Sequence, residues 1–211
     1  MSLSRYTGKI IFVLLPFLYY LSFINPKANR MRLFVAAPLP KTTLEALESL
    51  QARYNFSGVR LVPTPNLHLT LHFLGETPAT MLPAITEKLQ AIAATQHAFT
   101  LIFKETAPGP KLKSPRLIWA RFQEHPEFTQ LSRSIQAALN FQSPPHSDFI
   151  PHITIARLKK EKVNTKELPV ITSPDFPPFR VNCFSIWQSE LGSPHPRYSI
   201  LQDFPLQAAD L

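Results

Sequence analysis

Asn66-Leu67-His68-Leu69-Thr70-Leu71-His72-Phe73-Leu74-Gly75 alternates polar and apolar side chains like a half-buried strand. A shorter stretch, Pro151-His152-Ile153-Thr154-Ile155-Ala156-Arg157, repeats its central pattern. Residues two apart on a strand share a face, so each stretch sets a His beside a Thr. Two such strands side by side would surround one small space with two imidazoles and two hydroxyls. Those groups suit acid–base chemistry on a phosphate ester, and that chemistry needs no metal.

Strict alternation puts His68, Thr70 and His72 on one face and Leu67, Leu69, Leu71 and Phe73 on the other. In the second stretch His152, Thr154 and Ala156 share a face. A solvent-facing polar side explains either strand alone; the same His–Thr pair on both favours function. Metal binding is a poor rival. His68 and His72 stand about 13 Å apart on an extended strand, and no companion Cys or His-Glu signature follows. No Gly-x-Ser-x-Gly elbow suggests a serine hydrolase.

Outward from these stretches, the chain alternates strand-like and helix-like segments. Strands are expected over 33–37, around His68 to near Gly75, over 99–106 and 116–122, around His152, and over 180–190 and 197–204. Helices are expected from a Thr42 or Thr43 cap to Tyr54, over 79–94 and over 126–140, with Leu44, Leu47, Leu50, Leu82, Ile85, Leu89, Ile92, Phe128, Leu131, Ile135 and Leu139 inward. Several strands follow one another without a helix between them. The fold class is therefore α+β with antiparallel pairing, and the repeated motif suggests two related lobes facing one cleft.

The 211 residues suffice for a buried core, and 45% hydrophobic with 17% charged residues marks a folded chain. Twenty-two Pro against five Gly implies stiff connections. The lone Cys183 excludes an internal disulfide framework, fits a reducing compartment and reads as a small packing residue. Residues 1–30 carry Arg5, Lys9, Lys27 and Arg30 and no acid, which is half of the net +8. The remaining positive excess favours anionic ligands such as RNA ends.

Residues 10–24 are almost wholly apolar yet short for a membrane span, which needs about 20. An uncleaved anchor, a weak export signal, or sequence upstream of a true start at Met31 all fit. Residues 1–30 thus form an extension and 31–211 the folded domain.

Together the two motifs resemble those of the 2H phosphoesterase superfamily, and more narrowly the prokaryotic RNA 2′,3′-cyclic phosphodiesterases long called 2′-5′ RNA ligases. The opening Met31-Arg32-Leu33-Phe34-Val35-Ala36-Ala37-Pro38-Leu39-Pro40 and the ending from Ser189-Glu190-Leu191 through Tyr198 to Phe204-Pro205-Leu206 are similar as well. The resemblance covers residues 31–206. It implies two pseudo-symmetric lobes of antiparallel sheet plus helices around a central cleft. It also implies hydrolysis of a terminal 2′,3′-cyclic phosphate to a 2′-phosphomonoester, with no cofactor or metal.

In that scheme His68 is the proton donor and His152 the proton acceptor, roles that sequence leaves interchangeable. Thr70 and Thr154 hold the non-bridging oxygens. Arg157 is a candidate phosphate contact, although strict alternation turns it away from His152; a local bend and a structural ion pair are the two readings. Phe149 could stack on a base, with core packing as the plainer alternative, and His72 is at most a supporting partner. The expected partner is RNA with a 2′,3′-cyclic phosphate end, or a small cyclic nucleotide. Reverse 2′-5′ joining would use the same groups. Another nucleotide cyclic phosphodiesterase, or a binding module without turnover, is the alternative. A monomer in the cytoplasm is expected, with a membrane tether through residues 10–24 open.

Overall fold

The protein is described here by a computed structural model, which covers residues 29–110, 114–139, 149–159, 163 and 168–208. The apolar segment 10–24, a turn-rich link that the sequence suggests at 143–148, and Lys160, Lys162 and Lys166 of a basic stretch following the His152 strand lie outside the described residues.

Among the described residues, ten strands and three α-helices alternate along the chain. They are β1 (Arg30–Ala37), α1 (Lys41–Gln51), β2 (Val59–Leu61), β3 (Leu69–Pro78), α2 (Leu82–Ala93), β4 (Phe99–Leu101) and β5 (Phe103–Gly109). Then come β6 (Leu117–Phe122), α3 (Pro126–Ala138), β7 (His152–Leu158), β8 (Phe179–Val181), β9 (Cys183–Glu190) and β10 (Arg197–Pro205). The main sheet runs β10-β9-β1-β3-β7-β6-β5, with β2 also pairing β7; β4 and β8 form a separate ribbon. Every pairing between named strands is antiparallel. The α+β class follows from this arrangement.

Three expectations are corrected. The strand over 99–106 is two strands interrupted at Ile102, and Asn182 interrupts the one over 180–190 in the same way. The three-residue β2 was not foreseen, being too short to show a period. Neither Thr42 nor Thr43 caps α1: Pro40 precedes the helix, its carbonyl accepts from Leu44 N–H at 3.1 Å, and Thr43 is buried in the first turn.

The helices cover one face of the sheet. Leu47 and Leu50 of α1, Ile85 and Leu89 of α2, and Phe128, Leu131 and Ile135 of α3 are all buried with Leu69 and Ile153 in one contiguous cluster. Among the described residues, no helix is long and apolar enough to cross a membrane.

The two motif strands meet at a single pair, Leu69 opposite Ile153. These residues hold equivalent places, each directly after its motif histidine. An antiparallel pair has a local two-fold axis between opposed residues, so the two motifs are related by that axis. The register then sets His68 level with Thr154 and Thr70 level with His152. Opposed residues share a face, and both partners of the central pair point into the core. All four motif side chains therefore emerge on the other face.

Just beyond each motif the strand bulges. In β3, Thr70 pairs Ala36 while His72 pairs Val35, leaving Leu71 as the extra residue. In β7, Thr154 pairs Trp119 while Ala156 pairs Ile118, leaving Ile155. A bulge shifts the alternation by one. His72 consequently falls opposite the core residue Val35 and is buried, a correction to the expectation that it shares a face with His68 and Thr70. Phe73, 64% exposed, comes round beside Phe34 instead.

The second bulge is tied down by α1. The Ile155 carbonyl accepts from Val62 N–H at 2.9 Å and from Gln51 Nε2 at 2.8 Å; the same Gln51 nitrogen donates to Val62 O at 2.8 Å. Gln51→Leu strands these carbonyls without their side-chain donor and should lower folding stability by about 1–3 kcal/mol. Urea unfolding of the two proteins side by side tests this; an unchanged midpoint would remove Gln51 from the account of the bulge.

Candidate functional site

Each motif histidine is locked by its own backbone. His68 Nδ1 lies 2.7 Å from Asn66 O, and His152 Nδ1 lies 2.8 Å from Ile150 O. A carbonyl only accepts, so Nδ1 carries the proton in both rings. In the neutral imidazole the lone pair is then on Nε2, at the far edge of the ring. The local two-fold thus extends to tautomer and ring orientation. Thr70 and Thr154 flank the rings, partly exposed.

The surroundings differ between the halves. His68 sits among aromatic rings, with centroids of Phe34 at 4.9 Å, Tyr198 at 5.5 Å and Trp187 at 5.8 Å. Phe34, Ala36 and Trp187 form a small apolar cluster separate from the main core, and Trp187 Nε1 donates to Ala36 O at 3.1 Å. His152 lies against Trp119 at 4.0 Å and pairs across the sheet with Arg121, which reaches Glu105 at 3.4 Å.

Burial dominates the protonation of both imidazoles. It drives His68 down to about 4, against the bond to Asn66 O, which raises it; His152 and Arg157 lower it further. His152 is lowered chiefly by burial too, with Arg121 adding to the effect against the bond to Ile150 O. At neutral pH both imidazoles are neutral, and an anion beside either would favour its protonation.

Arg157 returns to the motif face because of the bulge at Ile155; the local bend, one of the two sequence readings, is what the chain adopts. Directly opposite it on β2 stands Arg60. Phe149 packs partly buried against the main core, with the Arg133 guanidinium carbon 5.9 Å from its ring centre, so core packing is its role. Cys183 is half-buried, and burial together with Asp203 raises its thiol, which keeps it protonated and unreactive. Among the described residues, no group of three or more His, Cys, Asp or Glu could hold a metal ion.

Sequence reading missed Phe34, Trp119, Trp187, Tyr198, Arg121 and Arg60. One signal was present: Trp119 and Arg121 alternate with the core residues Ile118, Ala120 and Phe122, which marks an outward face carrying an aromatic and a cation.

Comparison with known proteins agrees with this geometry. The family model of the 2′-5′ RNA ligase superfamily matches residues 39–192. An RNA 2′,3′-cyclic phosphodiesterase of Archaeoglobus fulgidus is 32% identical over 82% of this chain and 99% of its own. The Escherichia coli K12 protein of the same name is 32% identical over 83% and 96%. A solved structure from Thermus thermophilus superposes with a TM-score of 0.75 at 30% identity, covering 85% of this chain and all of its own. Escherichia coli LigT in complex with 3′-AMP gives 0.67 at 29%, covering 84% and 98%.

The depressed imidazoles have a consequence for folding. The unfolded chain binds a proton on His68 near pH 6.5, whereas the folded chain resists until about 4. The unfolded state therefore gains protons first, and stability falls as pH drops from 6.5 through 4, by about 3 kcal/mol from this group. Urea midpoints measured across that window should fall more steeply for wild type than for His68→Gln. Parallel slopes would show that His68 titrates normally in the folded state.

Proposed function

The chain belongs to the 2′-5′ RNA ligase superfamily, and on that premise we propose that it is an RNA 2′,3′-cyclic phosphodiesterase, opening a terminal cyclic phosphate to a 2′-phosphomonoester. The observation that carries this reading is the dyad-related pair of His-x-Thr strands, whose rings bond backbone through Nδ1 and have no hydrogen bond at Nε2 among the described residues. RNA ending in a 2′,3′-cyclic phosphate, or a small cyclic nucleotide, is the substrate class. One chain supplies both halves of the site, so a monomer suffices, and we read the protein as cytoplasmic.

In the proposed cycle the cyclic phosphate lies between the rings. Thr70 and Thr154 hydroxyls donate to its non-bridging oxygens, where charge must be held in the transition state. Arg157 adds a fixed positive charge on the same face. Water attacks phosphorus, and His152 Nε2 takes its proton. The bond from phosphorus to the 3′ oxygen breaks, and His68 delivers a proton from Nε2 to that oxygen. Proton exchange with solvent resets both rings.

The low resting pKa of His68 makes charge coupling central. A phosphodiester brings one negative charge into a poorly solvated space, which favours the imidazolium that the reaction needs. Substrate binding and protonation of the donor are then one linked event. In 2′-5′ joining a 5′ hydroxyl would take the place of water: His152 removes its proton, the 5′ oxygen bonds phosphorus, and the 3′ oxygen leaves with the proton from His68.

His68→Ala and His152→Ala should each lower turnover of a short RNA 2′,3′-cyclic phosphate by about 10²- to 10⁴-fold, with chelator present and the fold intact by circular dichroism. The wild-type kcat/KM profile should peak below pH 6.5, because the free enzyme holds both imidazoles below their ordinary value, while kcat shifts upward with the phosphate bound. Near-normal activity in either alanine variant, or a kcat/KM optimum above pH 7, would defeat the two-histidine scheme.

A further inference from the structure

Antiparallel strands avoid like charges directly opposite one another, because such pairs are destabilising. Yet β2 and β7 set Arg60 opposite Arg157. Arg60 donates one guanidinium nitrogen to Pro194 O at 3.0 Å, which fixes the head group against the β9–β10 loop and uses only part of its donor set. Among the described residues neither arginine has an acidic partner within ion-pair distance, whereas Arg121, on the same face, has Glu105. Two arginines at directly opposed register positions, with donors to spare, can offer a phosphate bidentate contacts.

The pair also stands at a telling distance. Arg157 lies three residues beyond Thr154 on β7, about 7–10 Å along a bulged strand. That is the reach of one extended nucleotide step from the reacting phosphate.

Resting on the phosphodiesterase reading, we propose that Arg60 and Arg157 form a second anion subsite, which takes the phosphate on the 5′ side of the terminal nucleotide. That phosphate is the internucleotide link of an RNA chain or a terminal 5′-phosphate; the chemistry recognised is the same. The subsite makes the enzyme prefer polynucleotide ends over bare cyclic nucleosides, and Arg60 is the residue that distinguishes them. Arg157 serves both phosphates from between them.

The test compares kcat/KM for three wild-type substrates: a 2′,3′-cyclic nucleotide with a free 5′ hydroxyl, the same nucleotide bearing a 5′-phosphate, and a dinucleotide 2′,3′-cyclic phosphate. A second phosphate should raise kcat/KM by about tenfold, the scale of one charge-assisted contact. A dinucleotide with an uncharged methylphosphonate link should lose that gain. In Arg60→Ala the ratio of dinucleotide to bare nucleotide should fall toward one, and Arg60→Lys should restore it in part. If Arg60 were only a strap to Pro194, its loss would move both substrates together and leave the ratio unchanged. That result, or a methylphosphonate dinucleotide as good as the natural one, overturns the proposal. Failure of wild type to turn over any of the three would instead strike at the phosphodiesterase reading itself.

Discussion

One cross-strand pair, Leu69 against Ile153, sets the terms for the rest of the molecule. Both side chains are fully buried, so neither strand can slip by one residue without turning its whole apolar set out of the core. With the register held there, the histidine and threonine of each motif have no choice of face. The local two-fold that relates the strands is a property of antiparallel pairing itself. A pair of acid–base groups related by such an axis follows from placing the same tripeptide pattern on both strands.

The bulges at Leu71 and Ile155 then break the alternation at the same place in each motif. Each re-aims the residue three positions past the threonine onto the motif face: Phe73 in one strand, Arg157 in the other. Equivalent backbone devices thus deliver unlike side chains. A bulge leaves ladder groups to satisfy, and Gln51 meets that need at Ile155, anchoring β7 to α1 and to the approach to β3 through Val62.

The halves of the site are correspondingly unlike in their aromatic neighbours, although an arginine acts on each histidine, Arg157 on His68 and Arg121 on His152. Rings of Phe34, Trp187 and Tyr198 crowd His68, while Arg121 stands beside His152 and Arg60 beside Arg157. Desolvation and nearby cations push both imidazoles the same way, toward neutrality. The site therefore stores an electrostatic deficit that an anion relieves, and among the described residues no carboxylate forms an ion pair with either histidine. In the proposed cycle, selectivity for phosphate and readiness for proton transfer would share this one physical cause.

Much of this was legible along the chain. The two His-x-Thr stretches, the inward faces of three helices and the succession of strands were sufficient for the α+β class, because period-2 and period-3.6 patterns are local consequences of burial. The core role of Phe149 and the quiet Cys183 were legible too, from ordinary residue preferences. Beyond the reach of the pattern were His72, Arg157, Arg60 and the aromatic wall around His68. A bulge depends on which partner strand supplies the hydrogen bonds, and β2 is too short to announce itself. Phe34, Trp119, Trp187 and Tyr198 come from four strands far apart in sequence. The amino-acid order determined which residues could do the chemistry and which face of each strand they started on; the pairing of strands decided which of them met, since register, bulges and neighbours are set by contacts between segments that no single segment contains.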